Sequence, residues 1–206
     1  MLEVKNVSLR EDSQPLFCDL SFTVEDRHTL CLFGGQNTGK THLLRAIMGL
    51  EPVVEGHISI DGELLNPTSA KEFRKHMAYV PQNIHLIVDT VDELVKLPFS
   101  LEVNKGKVFS RDKLMIEWNL LGLPDSYLMK KVDELTVTDL QLVVLSIAAI
   151  TGKSIILADE PSSNFSDDGE QLVANYLTHL AQEGRTVLAT SKSEHFASLL
   201  ERQVEI

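Results

Sequence analysis

The sequence is short of cysteine and of long hydrophobic runs. Its only cysteines, Cys18 and Cys31, fall in segments that resemble strands, so buried, reduced thiols are favoured over a disulfide and indicate a cytosolic protein. The longest apolar run, residues 140–150, is interrupted by Gln141 and Ser146 and is too short to cross a bilayer. Any membrane-spanning part must therefore come from another subunit.

Positive charge is also scarce. The 206 residues carry 19 lysines and arginines against 30 aspartates and glutamates, a formal net charge of -11. A surface this acidic repels the phosphate backbone, so we expect no nucleic-acid partner. Residues 1–12 contain neither a basic start nor an apolar core, and they do not predict a secretion signal. The length suits one domain that spans residues 1–206.

Three short apolar runs, residues 29–33, 154–158 and 186–190, are typical of strands buried on both faces. A helical pattern over residues 170–182 connects the last two runs. A strand, a helix and a strand at this spacing predict a parallel sheet with right-handed crossovers. The sequence therefore predicts an α/β fold around a mainly parallel sheet.

Two further segments have their own patterns. Apolar alternation from residue 2 to residue 24, interrupted by a polar turn at residues 11–15, predicts two antiparallel strands. From residue 89 to about residue 131 the pattern is mainly helical, which places a helical subdomain at approximately residues 85–150.

A phosphate-binding loop lies between the first buried run and a predicted helix. Its residues match G-x-x-x-x-G-K-[ST] and are Gly34, Gly35, Gln36, Asn37, Thr38, Gly39, Lys40 and Thr41. Glycines let backbone N–H groups surround phosphate oxygens, and the helix N-terminus adds its positive dipole end. Lys40 is expected to reach the outer phosphates, the Thr41 hydroxyl to ligate Mg²⁺, and the adjacent His42 to lie among the nucleotide-contacting residues. A glycine turn with a chance lysine is the alternative, and the strand-to-helix placement disfavours it.

Two carboxylates, Asp159 and Glu160, follow the buried run at residues 154–158. Ligands of open α/β sheets bind at this carboxyl edge. Asp159 is expected to hold Mg²⁺ and Glu160 to polarise the attacking water. An Asp-Glu turn that only ends a strand is the alternative. The phosphate loop upstream disfavours it, because the two motifs together indicate a nucleotide site.

Together these motifs resemble the ATP-binding subunits of ABC transporters over nearly the whole chain. Residues 79–83, Tyr-Val-Pro-Gln-Asn, are similar to the family's Q-loop, in which Gln82 would contact Mg²⁺ or water and sense the permease. Residues 159–164, Asp-Glu-Pro-Ser-Ser-Asn, are similar to the segment that leads into the D-loop. The resemblance implies a P-loop NTPase core with an N-terminal antiparallel β subdomain and an inserted α-helical subdomain.

The signature loop departs from the family pattern. Residues 135–139 read Leu-Thr-Val-Thr-Asp where the family has Leu-Ser-Gly-Gly-Gln. Val137 and Thr138 restrict the backbone at the two lost glycines. Asp139 brings a negative charge to the position where the opposite subunit's phosphate would sit. We expect the apolar helix that follows this loop to begin at Leu140.

Other motifs differ as well. The D-loop ends in Ser166 instead of aspartate, and Ser191 stands where the family's switch histidine would be. We expect His195, four residues later, to be an ordinary surface histidine. Arg10 or Glu11 falls at the position of the adenine-stacking aromatic, with Phe17 as the other candidate.

The resemblance implies an ATPase with ATP and Mg²⁺ as ligands. Its implied partners are a transmembrane permease and a second ATP-binding subunit, identical or different, on the inner face of the cell membrane. The altered motifs predict slow or partner-dependent hydrolysis. A binding-only regulator, or the degenerate half of an asymmetric dimer, is the alternative, and an ATPase without a permease is a third reading. Substrate and direction of transport are not encoded here.

Overall fold

The computed structural model describes residues 1–12, 14–84 and 87–206. The predicted turn at Ser13 and the first residues of the predicted helical subdomain, His85 and Leu86, lie outside the described residues. The strands are β1 (Leu2–Glu11), β2 (Gln14–Val24), β3 (Thr29–Phe33), β4 (Glu55–Ile60), β5 (Glu63–Leu64), β6 (Met77–Val80), β7 (Ile155–Ala158), β8 (Thr186–Ser191) and β9 (Arg202–Glu205). The helices are α1 (Lys40–Ile47), α2 (Ala70–Phe73), α3 (Val91–Ser100), α4 (Arg111–Leu121), α5 (Val137–Ile150), α6 (Asp167–Gln182) and α7 (Glu194–Ser198).

The central sheet has the order β6-β7-β8-β3-β9, and its described pairings are all parallel. Its three central strands, β7, β8 and β3, are buried on both faces, as the continuous apolar runs predict, whereas the edge strand β9 is mostly exposed. One face packs on α1 and on the second sheet through Leu30, Leu157 and Leu188. The other face packs on the later helices through Ile156 and Val187. The α/β class with a parallel sheet is confirmed.

The second sheet has the order β2-β1-β4-β5 with antiparallel pairing, as the alternating pattern predicts. Its β1–β2 connection is tighter than expected, because Arg10 pairs with Pro15 and Glu11 pairs with Gln14. Helix α1 buries Leu43, Leu44 and Ile47 in the apolar cluster shared with this sheet. The helix that follows the phosphate loop is thus held on an apolar face.

Between β6 and β7 the chain forms α3, α4 and α5, joined by short 3₁₀ turns. Thr90 caps α3, because its side chain accepts a hydrogen bond from the N–H of Glu93. The fully buried Trp118 of α4 donates its indole N–H to Ser146 of α5 at 3.0 Å. These helices contribute to the larger apolar cluster.

Two sequence predictions are wrong in detail. Cys31 is fully buried, but Cys18 is exposed, because it lies on β2, the edge strand of its sheet, where only one face packs on the core. Helix α5 begins at Val137 and not at Leu140, since Thr136 accepts a hydrogen bond from the N–H of Asp139 and caps it. Within the described ranges, no helix has both the length and the apolar character needed to cross a bilayer.

Candidate functional site

A cavity of about 430 Å³ opens where the phosphate loop joins β3 to α1. Residues 36–42 line it, and five residues from elsewhere in the chain complete the lining: Glu11, Leu16, Gln82, Glu160 and Lys192. The cavity therefore lies at the carboxyl edge of the parallel sheet, where α/β folds bind ligands.

The loop backbone needs its glycines at two positions. Gly39 has a φ of 96°, and a Cβ there would lie 3.0 Å from Leu16 and Phe17. A Cβ on Gly34 would lie 2.1 Å from the backbone oxygen of Ile206. Helix α1 begins directly after Gly39, without a side-chain cap and without an acidic residue in its first turn. Its first N–H groups therefore remain available to an anion.

Lys40 lies almost completely buried, with its ammonium group turned back onto the loop. Its Nζ donates hydrogen bonds to the carbonyl oxygens of Gly34 at 2.7 Å and Gly35 at 2.6 Å. The carboxylate of Glu160 lies 3.4 Å from the same nitrogen. The predicted phosphate-binding lysine is thus held at the loop with a negative partner.

Asp159 collects three hydroxyl groups around its buried carboxylate. Thr41 donates to Oδ2 at 2.8 Å, Tyr79 donates to the same oxygen at 3.0 Å, and Thr190 donates to Oδ1 at 2.8 Å. Burial, followed by the negative charge of Asp159, raises the pKa of Tyr79 above its usual value. The hydroxyl group of Tyr79 therefore keeps its proton and donates to Asp159. Thr41 and Asp159, which come from separate segments and are both predicted to hold Mg²⁺, lie within hydrogen-bond distance of each other.

Glu160 occupies a backbone conformation that residues other than glycine seldom adopt, with a φ of 48°. Its N–H donates to the Thr190 hydroxyl at 2.9 Å, and its Oε2 accepts the backbone N–H of Lys192 at 3.1 Å. Unusual backbone geometry of this kind is found at functional sites, where surrounding contacts hold it in place.

The remaining predicted residues lie at the edge of the cavity. Gln82 is exposed and lines it. His42 also lines it, but its Nδ1 lies 2.7 Å from Glu51 and its Nε2 lies 3.5 Å from Glu11. The imidazole of His42 is therefore already paired with carboxylates.

The altered signature loop caps its own helix. The Thr136 hydroxyl accepts the N–H of Asp139 at 3.1 Å and donates to Asp139 Oδ2 at 2.8 Å. The Tyr127 hydroxyl donates to the same carboxylate at 3.1 Å. A negative charge therefore lies at the first turn of α5, where an intact signature would leave N–H groups free for a phosphate.

The two altered positions near β8 have defined surroundings. Ser191 is buried, and its Oγ accepts the N–H of Ser193 at 2.9 Å. His195 is half exposed, as predicted, and its Nδ1 lies 2.8 Å from Glu170. Among the described lining residues of the cavity, neither Ser191 nor His195 occurs.

No described aromatic residue lines the cavity. Phe17 packs against Gly39 behind the loop, with ring atoms about 3 Å from the position of a Cβ there. Glu11 and Leu16 do line the cavity. Of the positions predicted for adenine stacking, Arg10 and Phe17 are absent from the lining.

Sequence reasoning missed the site contacts of Tyr79, Thr190 and Lys192. The first two donate to Asp159, and the third lines the cavity beside Glu160. Strand order could have indicated Thr190, because β7 and β8 are neighbours with Ala158 opposite Ala189. The next residue of each strand therefore meets at the sheet edge.

Comparison with known proteins indicates one family. The family model described as ABC transporter matches residues 17–163. The chain is 28% identical over 198 residues to the lipoprotein-releasing system ATP-binding protein LolD of Psychrobacter arcticus, which covers 93% of this chain and 87% of that protein. It is also 28% identical over 192 residues to the glutathione/L-cysteine transport system ATP-binding/permease protein CydD of Haemophilus influenzae.

This second match covers 91% of the chain but 32% of the H. influenzae protein. A further H. influenzae ATP-binding/permease protein is matched over 36% of its length, so the chain spans about a third of such longer relatives. A solved dimeric ATP-binding cassette, in a post-hydrolysis state bound to ADP and Pi, superposes with a TM-score of 0.82 at 22% identity. That match covers all of this chain and 94% of the cassette. The family model covers well over half of the sequence, and the chain belongs to the ABC transporter family.

Proposed function

We propose that this chain is the ATP-binding subunit that couples ATP binding and hydrolysis to transport by a separate membrane permease. The observation that carries this proposal is the 2.8 Å hydrogen bond between Thr41 and Asp159. It joins the phosphate loop to the acidic strand end, with Lys40 and Glu160 paired beside it. This set of residues matches the requirements of phosphoryl transfer to water.

The phosphates of ATP would lie over the loop from Gly34 to Thr41. Backbone N–H groups of Gln36, Asn37 and Thr38 would surround them, and the uncapped start of α1 would add its positive end. Lys40 would exchange its two carbonyl acceptors for phosphate oxygens. His42 would contribute at the edge, where its imidazole already faces Glu11 and Glu51.

The donor set also fits Mg²⁺, which prefers hard oxygen ligands. The Thr41 hydroxyl and the Asp159 carboxylate are oxygen donors within hydrogen-bond distance of one another. Gln82, which lines the same cavity, offers an amide oxygen from a third segment. When bound, the ion would neutralise charge on the phosphates while these residues fix their position.

Glu160 is suited to orient the attacking water. Its Oε2 is fixed by the backbone N–H of Lys192, and its Oε1 faces Lys40. A carboxylate held from both sides can accept a hydrogen bond from water at a defined position. Gln82, which lines the same cavity, would contact the same water.

Hydrolysis is proposed to be slow or partner-dependent. In an ATP-bound dimer the signature loop of one subunit would face the nucleotide of the other, and the Asp139 carboxylate would oppose that phosphate. A heterodimer would relieve this conflict, because an unaltered partner signature could complete the site of this chain. Dimerisation with a second ATP-binding subunit is thus part of the proposal.

The proposed placement follows from the same assembly. The chain would lie on the cytoplasmic side of a membrane, attached through its permease. Residues 1–206 would act as a single domain in which the segment from about 85 to 150 forms the helical subdomain. Helices α3, α4 and α5, inserted between two neighbouring parallel strands, support that division.

Steady-state ATP hydrolysis by the purified chain tests the proposal. We expect measurable turnover with Mg²⁺ that Glu160→Gln abolishes while ATP binding persists. Glu102→Gln, at an exposed position on the helical insertion, is the matched control and should keep wild-type turnover. Turnover that survives Glu160→Gln would contradict the assigned role, and binding without any turnover would favour a binding-only subunit or one that waits for its partner.

A further inference from the structure

A second lysine lines the phosphate cavity. Lys192 directly follows β8, is exposed, and lines the cavity together with Lys40, Gln82 and Glu160. Its backbone N–H donates to Glu160 Oε2 at 3.1 Å. The main chain of Lys192 is thus fixed against the residue proposed to orient water, and this exposed residue lines the same cavity.

Lys192 differs from the other cationic residues of the cavity in its partners. Lys40 is held by two carbonyl oxygens and lies 3.4 Å from Glu160. His42 faces Glu11 and Glu51. Within the part of the chain that the structure describes, Lys192 takes part in no ion pair within 4.0 Å. Its ammonium group is therefore the cationic group of the lining that has no carboxylate partner.

The preceding residue cannot supply this charge. Ser191 is 2% exposed, its Oγ accepts the N–H of Ser193, and its carbonyl oxygen accepts the N–H of Gly34 at 3.1 Å. A positive charge at this end of β8 can therefore come from Lys192 but not from Ser191.

We propose that the ammonium group of Lys192 binds the terminal phosphate of a nucleoside triphosphate and makes the site prefer triphosphate over diphosphate. This inference rests on the proposed function. A lysine is a compact charge on a flexible stem, so it can follow a phosphate oxygen without a rigid geometry. The hydrogen bond from its backbone N–H to Glu160 places Lys192 next to the residue proposed to orient the attacking water.

Equilibrium titration with ATP and with ADP, each with Mg²⁺, tests the inference on Lys192→Met, Lys192→Arg and Lys113→Met. Lys113 is an exposed lysine on α4 and is the matched control. Loss of one charged contact to the γ-phosphate should weaken ATP binding by about five- to tenfold in Lys192→Met. Binding of ADP should stay unchanged, and Lys192→Arg should recover most of the affinity for ATP.

An equal loss of affinity for both nucleotides would overturn the inference, because it would indicate a structural role. Wild-type affinity of Lys192→Met for both nucleotides would overturn it as well. The proposed function fails separately, if the wild-type chain and Lys40→Ala bind ATP equally weakly. If wild type binds ATP normally but Lys192→Met keeps the wild-type ratio of ATP to ADP affinity, the inference fails and the proposed function stands.

Discussion

The hydroxyl group of Thr190 donates a hydrogen bond to Asp159 Oδ1 at 2.8 Å and accepts the backbone N–H of Glu160 at 2.9 Å. One buried side chain thus holds the carboxylate of Asp159 and the backbone of Glu160. It does so because β7 and β8 are parallel neighbours and end at the same edge of the sheet. Asp159 and Glu160 depend on this second strand for their geometry.

Thr190→Val should lower both stability and turnover. The change keeps the shape of the side chain but leaves the Asp159 carboxylate and the Glu160 N–H without their partner, which costs about 1–3 kcal/mol in the free energy of unfolding. Urea unfolding measures the first effect and steady-state ATP hydrolysis the second. Thr190→Ser keeps the hydroxyl group and should stay close to wild type. Equal behaviour of the two variants would contradict the bridging role.

The two cysteines should differ in reactivity. Burial, followed by the negative charge of Glu160, raises the pKa of Cys31 to about 12, while Cys18 is exposed. Iodoacetamide at neutral pH should therefore modify Cys18 in the folded chain and modify Cys31 only after denaturation. Mass spectrometry of the digested chain reads both sites. Early modification of Cys31 would contradict its burial on β3.

The raised pKa of Cys31 also predicts a pH dependence of stability. The folded chain keeps the thiol proton up to about pH 12, whereas the unfolded chain releases it near pH 9. The contribution of Cys31 is therefore complete below pH 9 and declines by about 1.4 kcal/mol per pH unit above it. Urea unfolding from pH 8 to pH 10.5 should show a shallower decline for Cys31→Ala than for wild type. Parallel curves would contradict the assignment.

How much of this site could be predicted from the sequence depends on how local each feature is. The phosphate loop and the acidic pair are contiguous motifs next to apolar runs, so the positions of Lys40 and Glu160 follow from pattern alone. The roles of Tyr79 and Thr190 depend on which strands are neighbours. Strand order is a property of the whole fold, and the sequence of a short segment does not predict it.

The fold follows the same rule. Continuous apolar runs identified three of the five strands of the parallel sheet, β3, β7 and β8, because burial on both faces removes the alternation seen in half-exposed strands. The edge strand β9 has no such run, and the sequence did not predict it. The exposure of Cys18 was missed because it depends on which strand lies at the edge of a sheet. The start of α5 was missed because residues 135–139 were compared with the family's glycine-containing loop. In the structure the Thr136 side chain caps the helix at this point.

A buried hydrogen bond should hold α4 against α6. The hydroxyl group of Tyr176 donates to Glu117 Oε2 at 2.6 Å, and both residues are buried. Tyr176→Phe leaves the carboxylate without this donor and should lower the free energy of unfolding by about 1–3 kcal/mol. Tyr127→Phe removes a more exposed hydroxyl group from Asp139 and should cost less. A loss in Tyr176→Phe no larger than in Tyr127→Phe would contradict the importance of the buried pair.

Restoring the signature loop should speed hydrolysis. The triple change Val137→Gly, Thr138→Gly and Asp139→Gln removes the carboxylate at the first turn of α5 and frees its N–H groups. If the purified chain pairs with itself, turnover should rise severalfold over wild type at saturating ATP. Asp139→Asn alone separates charge from backbone freedom and should recover part of the gain. No change in either variant, with dimers confirmed by light scattering, would contradict the proposed signature defect.

The central claim is that the loop from Gly34 to Thr41 binds ATP, and equilibrium titration of the chain with ATP and Mg²⁺ tests it most directly. Saturable binding by wild type, strongly weakened in Lys40→Ala and unchanged in Lys113→Met, is the predicted result. Lys40 contacts the loop carbonyls and Glu160, so circular dichroism must first show that Lys40→Ala is folded. Absence of binding by wild type, or equal binding by folded Lys40→Ala, would contradict the account.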